Sequence, residues 1–144
     1  MSINSRYGNL KINRDIKILF VDDDAMSHLA ISTVFSQLFN SFGTATNTTE
    51  AFEKLTNTNF DCIITEIEMK NRDELTFIQK IREKDKCIPI IVLTSSRNSN
   101  RFIELILLGI SGIISKPIQH DELLKTVLKT IDKIELLNTL ENKR

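Results

Sequence analysis

Three aspartates in a row, Asp22-Asp23-Asp24, stand where an apolar run, Ile16-Lys17-Ile18-Leu19-Phe20-Val21, ends abruptly. Carboxylates gathered at one point of a chain make a hard, oxygen-rich site. Mg²⁺ takes such sites, with a few carboxylates, waters and a phosphate around it. A further carboxylate, Glu66, follows the apolar stretch Phe60-Asp61-Cys62-Ile63-Ile64. Thr94 closes Pro89-Ile90-Ile91-Val92-Leu93-Thr94 and offers a hydroxyl, and Lys116 follows Gly112–Ser115 and offers a point charge to an anionic oxygen. Together these groups could hold a metal ion and a phosphoryl group. Singly they say little: an Asp-Asp pair after a strand usually caps a helix and lines a solvated turn, and a lone threonine or lysine carries no signal. Their weight comes from joint placement, because each falls at the carboxyl end of a predicted strand.

The elements that would position them alternate along the chain. The run over 16–21 suits a strand buried on both faces. A helix follows from about Ala25 to Phe39, with Leu29, Ala30, Val34 and Leu38 spaced for one buried face. Ser41 to Thr46 reads as a weak second strand. Asn47-Thr48-Thr49-Glu50 then has capping-box spacing and opens a helix over Ala51, Phe52 and Leu55. Residues 60–64 form the third strand and a polar loop runs from Glu66 to Asp73. Leu75, Phe77, Ile78 and Ile81 mark the third helix, and Pro89 sits harmlessly at the first position of the fourth strand. Asn98 or Ser99 caps a fourth helix that Gly109 stops. After the fifth strand, 112–115, a last helix runs from about Gln119 with Leu123, Leu124, Val127, Leu128, Ile131 and Ile134 on one stripe. Five strands alternating with five helices predict an α/β fold: a doubly wound, five-stranded parallel sheet in three α/β/α layers. Ligands of such sheets bind outside the carboxyl ends of the strands.

Bulk properties narrow the function classes. With 144 residues, 41% apolar and 26% charged, the chain fits one globular domain with short extensions. Nineteen basic and nineteen acidic residues leave no net charge, so no global attraction to nucleic acid or anionic lipid is expected. No apolar run reaches the roughly 18 residues of a membrane span; the longest, 102–114, is interrupted by Glu104, Gly109 and Gly112. Residues 1–15 are polar and aperiodic, without an apolar signal core, and read as a flexible leader. Cys62 and Cys87 lie in or beside apolar runs and read as small buried thiols of a reducing compartment, which places the protein in the cytoplasm.

From Lys17 to Ile134 the chain resembles the receiver domain of two-component response regulators, with its CheY-like, flavodoxin-like (βα)5 fold. The resemblance rests on Ile18-Leu19-Phe20-Val21-Asp22-Asp23-Asp24, Phe60-Asp61-Cys62-Ile63-Ile64-Thr65-Glu66-Ile67-Glu68-Met69, Pro89-Ile90-Ile91-Val92-Leu93-Thr94 and Ser115-Lys116-Pro117-Ile118. It implies that Asp22 and Asp23, with the backbone carbonyl of Glu68, face a Mg²⁺ ion. It also implies that Lys116 pairs with phosphoryl oxygens and that Thr94 moves to bond them. The departures are equally pointed. The family's phosphoacceptor is Asp, whereas this sequence has Glu66, whose carboxylate reaches about 1.5 Å further. Phosphoryl transfer depends on tight positioning, and an error near 1 Å can cost about a hundredfold. Glu66 is therefore expected to be a poor acceptor whose charge instead approaches Lys116, partly imitating the phosphorylated state. The same reach could put Glu66 into the metal's place, leaving Mg²⁺ binding weak. Lys70 and Glu74 replace a usual Pro and a common Gly, and Ile113 replaces the aromatic rotamer switch two residues before Ser115.

The expectation is a signalling module that is not an enzyme, with residues 16–134 as the receiver and 135–144 as a helical extension or linker. Its partners would be a histidine kinase, an output domain or a second copy. In the family the face built from the fourth helix, fifth strand and fifth helix carries output. Here Phe102, Ile103, Leu105, Ile106, Leu107 and Leu108 make the fourth helix apolar nearly all round, and Ile103, Ile106 and Leu107 are the candidate patch. A working phosphoacceptor using Glu66 or a neighbouring acid is one alternative; of the nearby aspartates, Asp61 lies at the wrong strand end and Asp73 in the following loop. A Mg²⁺-dependent phosphotransferase or phosphatase is another, but it would need a substrate pocket and an inserted cap that these short connections do not supply.

Overall fold

A computed structural model describes residues 15–67, 74–95 and 99–142 of the chain. Its five strands are β1 (Ile18–Val21), β2 (Gly43–Ala45), β3 (Cys62–Glu66), β4 (Ile90–Thr94) and β5 (Gly112–Ser115). They alternate with helices α1 (Ala25–Leu38), α2 (Thr48–Asn57), α3 (Glu74–Lys84), α4 (Ser99–Leu107) and α5 (His120–Asn142). All strand pairs are parallel, in the order β2-β1-β3-β4-β5. Chain order reverses between β1 and β3, so the crevice of such a sheet opens beside those two strands.

Each face of the sheet has its own core. Phe20, Ile64, Ile91 and Ile114 pack with α1 and α5, while Leu19, Val21, Ile63 and Val92 pack with α2, α3 and α4. Adjacent strand residues point to opposite faces, which is why the central strands read as continuous apolar runs.

Several local expectations shift. The buried face of α1 is Ser27, Ile31, Val34, Phe35 and Leu38, and Leu29 is 61% exposed. Leu29 lies two residues, about 200° of helix rotation, from Ser27, so the phase that buries Ile31 and Phe35 turns it to solvent. The helix stops at Leu38, with Phe39 extended as its C-cap. The second strand is only three residues long. A Cβ on Gly43 would lie 2.8 Å from Phe60 Cζ, so glycine lets this edge strand approach the ring. The third strand begins at Cys62 and extends to Glu66, because its register sets Thr65 beside Val21 and Glu66 beside Leu93. Asn47 caps α2 by accepting from Glu50 N at 2.8 Å; Glu50 reaches back one residue further than a capping box, to Thr46 N at 3.1 Å and Thr46 Oγ1 at 2.9 Å. Gly109 terminates α4 with a φ of 73°, a conformation that costs glycine little. Asn98 is outside the described residues.

Cys62 is buried, and desolvation pushes its thiol up to about 12, so it is no nucleophile at neutral pH. Cys87, expected inside, is exposed. It sits in a turn where Asp85 Oδ1 accepts from Cys87 N at 2.8 Å and from Ile88 N at 2.9 Å, which directs the apolar Ile88 inward and Cys87 out.

Candidate functional site

The carboxyl ends of β1, β3 and β5 meet around one ammonium. Lys116 Nζ lies 2.6 Å from Glu66 Oε2, 2.9 Å from Asp22 Oδ2 and 3.8 Å from Asp24 Oδ2. The two near carboxylates are buried, Asp22 fully and Glu66 to 3% exposure, while the Lys116 side chain keeps a 17% opening to solvent. Burial alone would lower the Lys116 value. Hydrogen bonds to Glu66 and Asp22, with their charges, outweigh it and hold the ammonium above its ordinary value.

Backbone geometry explains why the groups arrive together. Asp22 N donates to Ala45 O at 3.0 Å, which extends the β1–β2 pairing by one residue and fixes the acid at the sheet rim. Asp22 Oδ1 accepts from Asp24 N at 2.9 Å, so one carboxylate oxygen shapes the turn while the other meets Lys116. Asp24 caps α1, accepting from Met26 N at 3.1 Å and Ser27 Oγ at 2.9 Å; the Ser27 hydroxyl is the main reason its carboxyl is held below the usual range. Lys116 N donates to Thr94 O at 2.8 Å, tying the residue after β5 to the end of β4. The Lys116–Pro117 peptide is cis.

The residues singled out from sequence divide accordingly. Asp22, Glu66 and Lys116 form the contact cluster. Thr94 is buried at the end of β4, Asp23 is on the exposed turn, and Ile113 is half-buried on β5 opposite Val92. Glu68, Lys70 and Asp73 lie outside the described residues. Asp61 sits at the amino end of β3, where its carboxylate accepts from Lys17 N, away from the cluster. Sequence reasoning missed His28. Its Nε2 lies 2.5 Å from Asp22 O, and its ring meets the edge of Phe20 with centroids 4.8 Å apart. The available signal was its position in the second turn of a helix capped by Asp24, facing back over the acidic turn.

No group of three His, Cys, Asp or Glu among the described residues is placed to hold a metal. Asp22 and Glu66 both give an oxygen to Lys116, so a divalent ion would compete with the ammonium for the same ligands. On α4, Leu105 is fully buried, whereas Ile103, Ile106 and Leu107 are 60%, 65% and 82% exposed.

A sequence model of the response regulator receiver domain matches residues 18–128. Over 119 residues the chain is 27% identical to the sensor protein EvgS of Escherichia coli, covering 83% of this chain and 10% of that protein. The chain therefore spans only a small part of EvgS. It is 28% identical over 117 residues to the chemotaxis protein CheY of Bacillus subtilis, covering 81% of this chain and 98% of that one. The solved structure of the chemotaxis response regulator CheY4 of Vibrio cholerae superposes with a TM-score of 0.73 at 27% identity, covering 81% and 98% of the two chains.

Proposed function

This chain belongs to the response regulator receiver domain family, and we propose that Glu66 fills its phosphoacceptor position, so that it signals by protein–protein contact rather than by ordinary phosphorylation. The observation that carries this reading is the 2.6 Å pair between Glu66 and Lys116. In the family's active form a phosphoryl oxygen meets that lysine; here the longer carboxylate meets it without phosphate. Thr94 and Ile113 are the proposed switch positions, and Ile113 lacks the aromatic ring that would move. Asp22, Asp23, Glu66 and the Glu68 carbonyl correspond to the family's metal surroundings. Receiver domains commonly bind Mg²⁺ at this place, and Lys116 weakens that binding here by holding two of the acids.

Receiver domains work with histidine kinases and output domains. We assign the contact face to Ile103, Ile106 and Leu107, with residues 16–134 as the receiver and the end of α5, from 135, as an extension or linker. No described helix is long and apolar enough to cross a membrane, and a cytoplasmic kinase partner or a second copy suits the patch. Light scattering after size exclusion tests self-association: Ile106→Glu with Leu107→Glu should reduce the mass if the partner is a second copy. A wild type that is already monomeric removes that option.

The acceptor reading is tested by incubating the protein with acetyl phosphate and Mg²⁺ and measuring intact mass. The wild type should stay unmodified, and Glu66→Asp should gain one phosphoryl group, about 80 Da. A gain on the wild type that Glu66→Gln abolishes would overturn it.

A further inference from the structure

The amino ends of the strands, opposite the acidic cluster, carry a second concavity of different chemistry. It lies between α2 and α3 and has a volume of about 430 Å³. Its floor is buried Ile63, Ile81 and Ile88, and its walls are Phe52, Leu55 and Phe60, which pack on the core but remain only half-buried. A second cavity of about 360 Å³ shares Thr58 and Phe60, so the Phe60 ring stands between two hollows. Both volumes are within the roughly 300–1,000 Å³ of small-molecule sites, which are typically apolar with a few placed polar groups.

The charges at the mouths are unequal. Lys84 Nζ stands 5.8 Å from the Phe52 ring centroid, and among the described residues Lys84 makes no ion pair. Lys17 lines the second cavity, and Lys54, also there, donates to the Thr44 carbonyl and faces Glu50 at 3.8 Å. The one acid of the first cavity's lining, Asp85, accepts from two backbone N–H groups of its own turn, and its charge is offset by the neighbouring Arg82 guanidinium. An occupant that covers the half-buried rings and meets Lys84 must combine an apolar body with an anionic end.

We propose that this groove binds a small monoanionic amphiphile, its aromatic or aliphatic body between Phe52, Leu55 and Phe60 and its carboxylate- or sulfonate-type head at Lys84. The groove lies at the other end of the strands from Glu66, so its assignment does not rest on the reading of residue 66.

Fluorescence titration of the full chain with anilinonaphthalene sulfonate, and with the neutral phenylnaphthylamine, tests the site. The sulfonate should bind saturably, one to one, and about fivefold tighter than the neutral probe, as expected for one solvent-facing charge. Lys84→Glu should weaken it by about tenfold, since attraction becomes repulsion. Leu55→Trp should fill the groove and abolish binding. Ile106→Glu with Leu107→Glu should leave binding unchanged, which separates the groove from the exposed α4 patch. Amide shifts in the wild-type protein, needing no variant to fold, should converge on Leu55, Phe60, Lys84 and Ile88. Unsaturable binding, equal affinity for both probes, or shifts confined to α4 would overturn the assignment.

Discussion

Replacing Lys116 by methionine is the most severe single test of the cluster. The substitution keeps an unbranched side chain and removes the ammonium group with its charge and its hydrogen-bond donors. It strands two carboxylates, Asp22 and Glu66, that are almost wholly buried and lie 2.9 Å and 2.6 Å from the lost ammonium. Breaking a buried ion pair from one side costs about 3–5 kcal/mol, because the remaining charge keeps its desolvation penalty without the partner. Two stranded charges place the expectation at the upper part of that range. Against a typical total of about 5–15 kcal/mol, the loss is large. Urea unfolding followed by far-UV circular dichroism should show a lower midpoint with an unchanged slope. Glu66→Gln in the Lys116→Met background should recover about 1–3 kcal/mol by neutralising one stranded group. The pH dependence has a definite sign. Lys116 is held above its ordinary value in the folded state. The pair's stabilisation is thus complete below the unfolded lysine value of about 10.4 and drains away as pH rises through the folded value. A loss under about 1 kcal/mol near neutral pH, the size of an exposed ion pair, would refute the buried-cluster reasoning.

Two other perturbations read the packing. A thiol reagent should modify Cys87 at once in the native protein and Cys62 only on unfolding, because one is exposed and burial raises the other to about 12; two fast-reacting thiols would contradict the buried position of β3. Gly112→Ala should cost about 1–3 kcal/mol by overpacking, since its Cβ would lie 2.9 Å from Thr126 Cγ2. Thr126→Ser, which deletes that methyl group, should recover part of the loss in thermal or urea unfolding, and no recovery would place the strain elsewhere.

The parallel sheet was legible because its central strands are apolar on both faces and each is followed by a helix-period pattern. The positions of Asp22, Glu66 and Lys116 followed from the same alternation, since strand ends in such a sheet converge. What failed to show was phase and register. Leu29 looks like a core residue until the helix is rotated to bury Ile31 and Phe35. Glu66 looked like the first loop residue because Thr65 and Glu66 are polar, yet pairing with β1 and β4 continues through both. Cys87 was misplaced because a side chain of its own turn, Asp85, sets its direction. His28 left only a positional hint, one turn after the cap Asp24, because its contact is with a backbone carbonyl, and a carbonyl leaves no trace in the identity of residue 22.

The geometry also limits how the proposed receiver can be switched. Lys116 is held more firmly protonated than usual by two buried carboxylates, so its ammonium keeps its charge near neutral pH. On the proposed reading no phosphoryl group arrives to redistribute those contacts either. Lys116 N remains bonded to Thr94 O, and that bond fixes the relation between the ends of β4 and β5 on the side that leads to α4. A binding partner can shift a two-state element only by its difference in affinity for the two states. If internal chemistry holds one arrangement, the remaining control is whether a partner is present to cover Ile103, Ile106 and Leu107. Glu66→Asp then does more than restore an acceptor. Its carboxylate withdraws by about 1.5 Å, loosening the contact with Lys116 before any phosphate is added. Amide shifts on β5 and α4 should move in the unphosphorylated variant and return toward the wild-type pattern after acetyl phosphate. Unmoved shifts in both states would mean that the cluster and the α4 face are uncoupled, and that residue 66 sets the chemistry of the site without setting the shape of the patch.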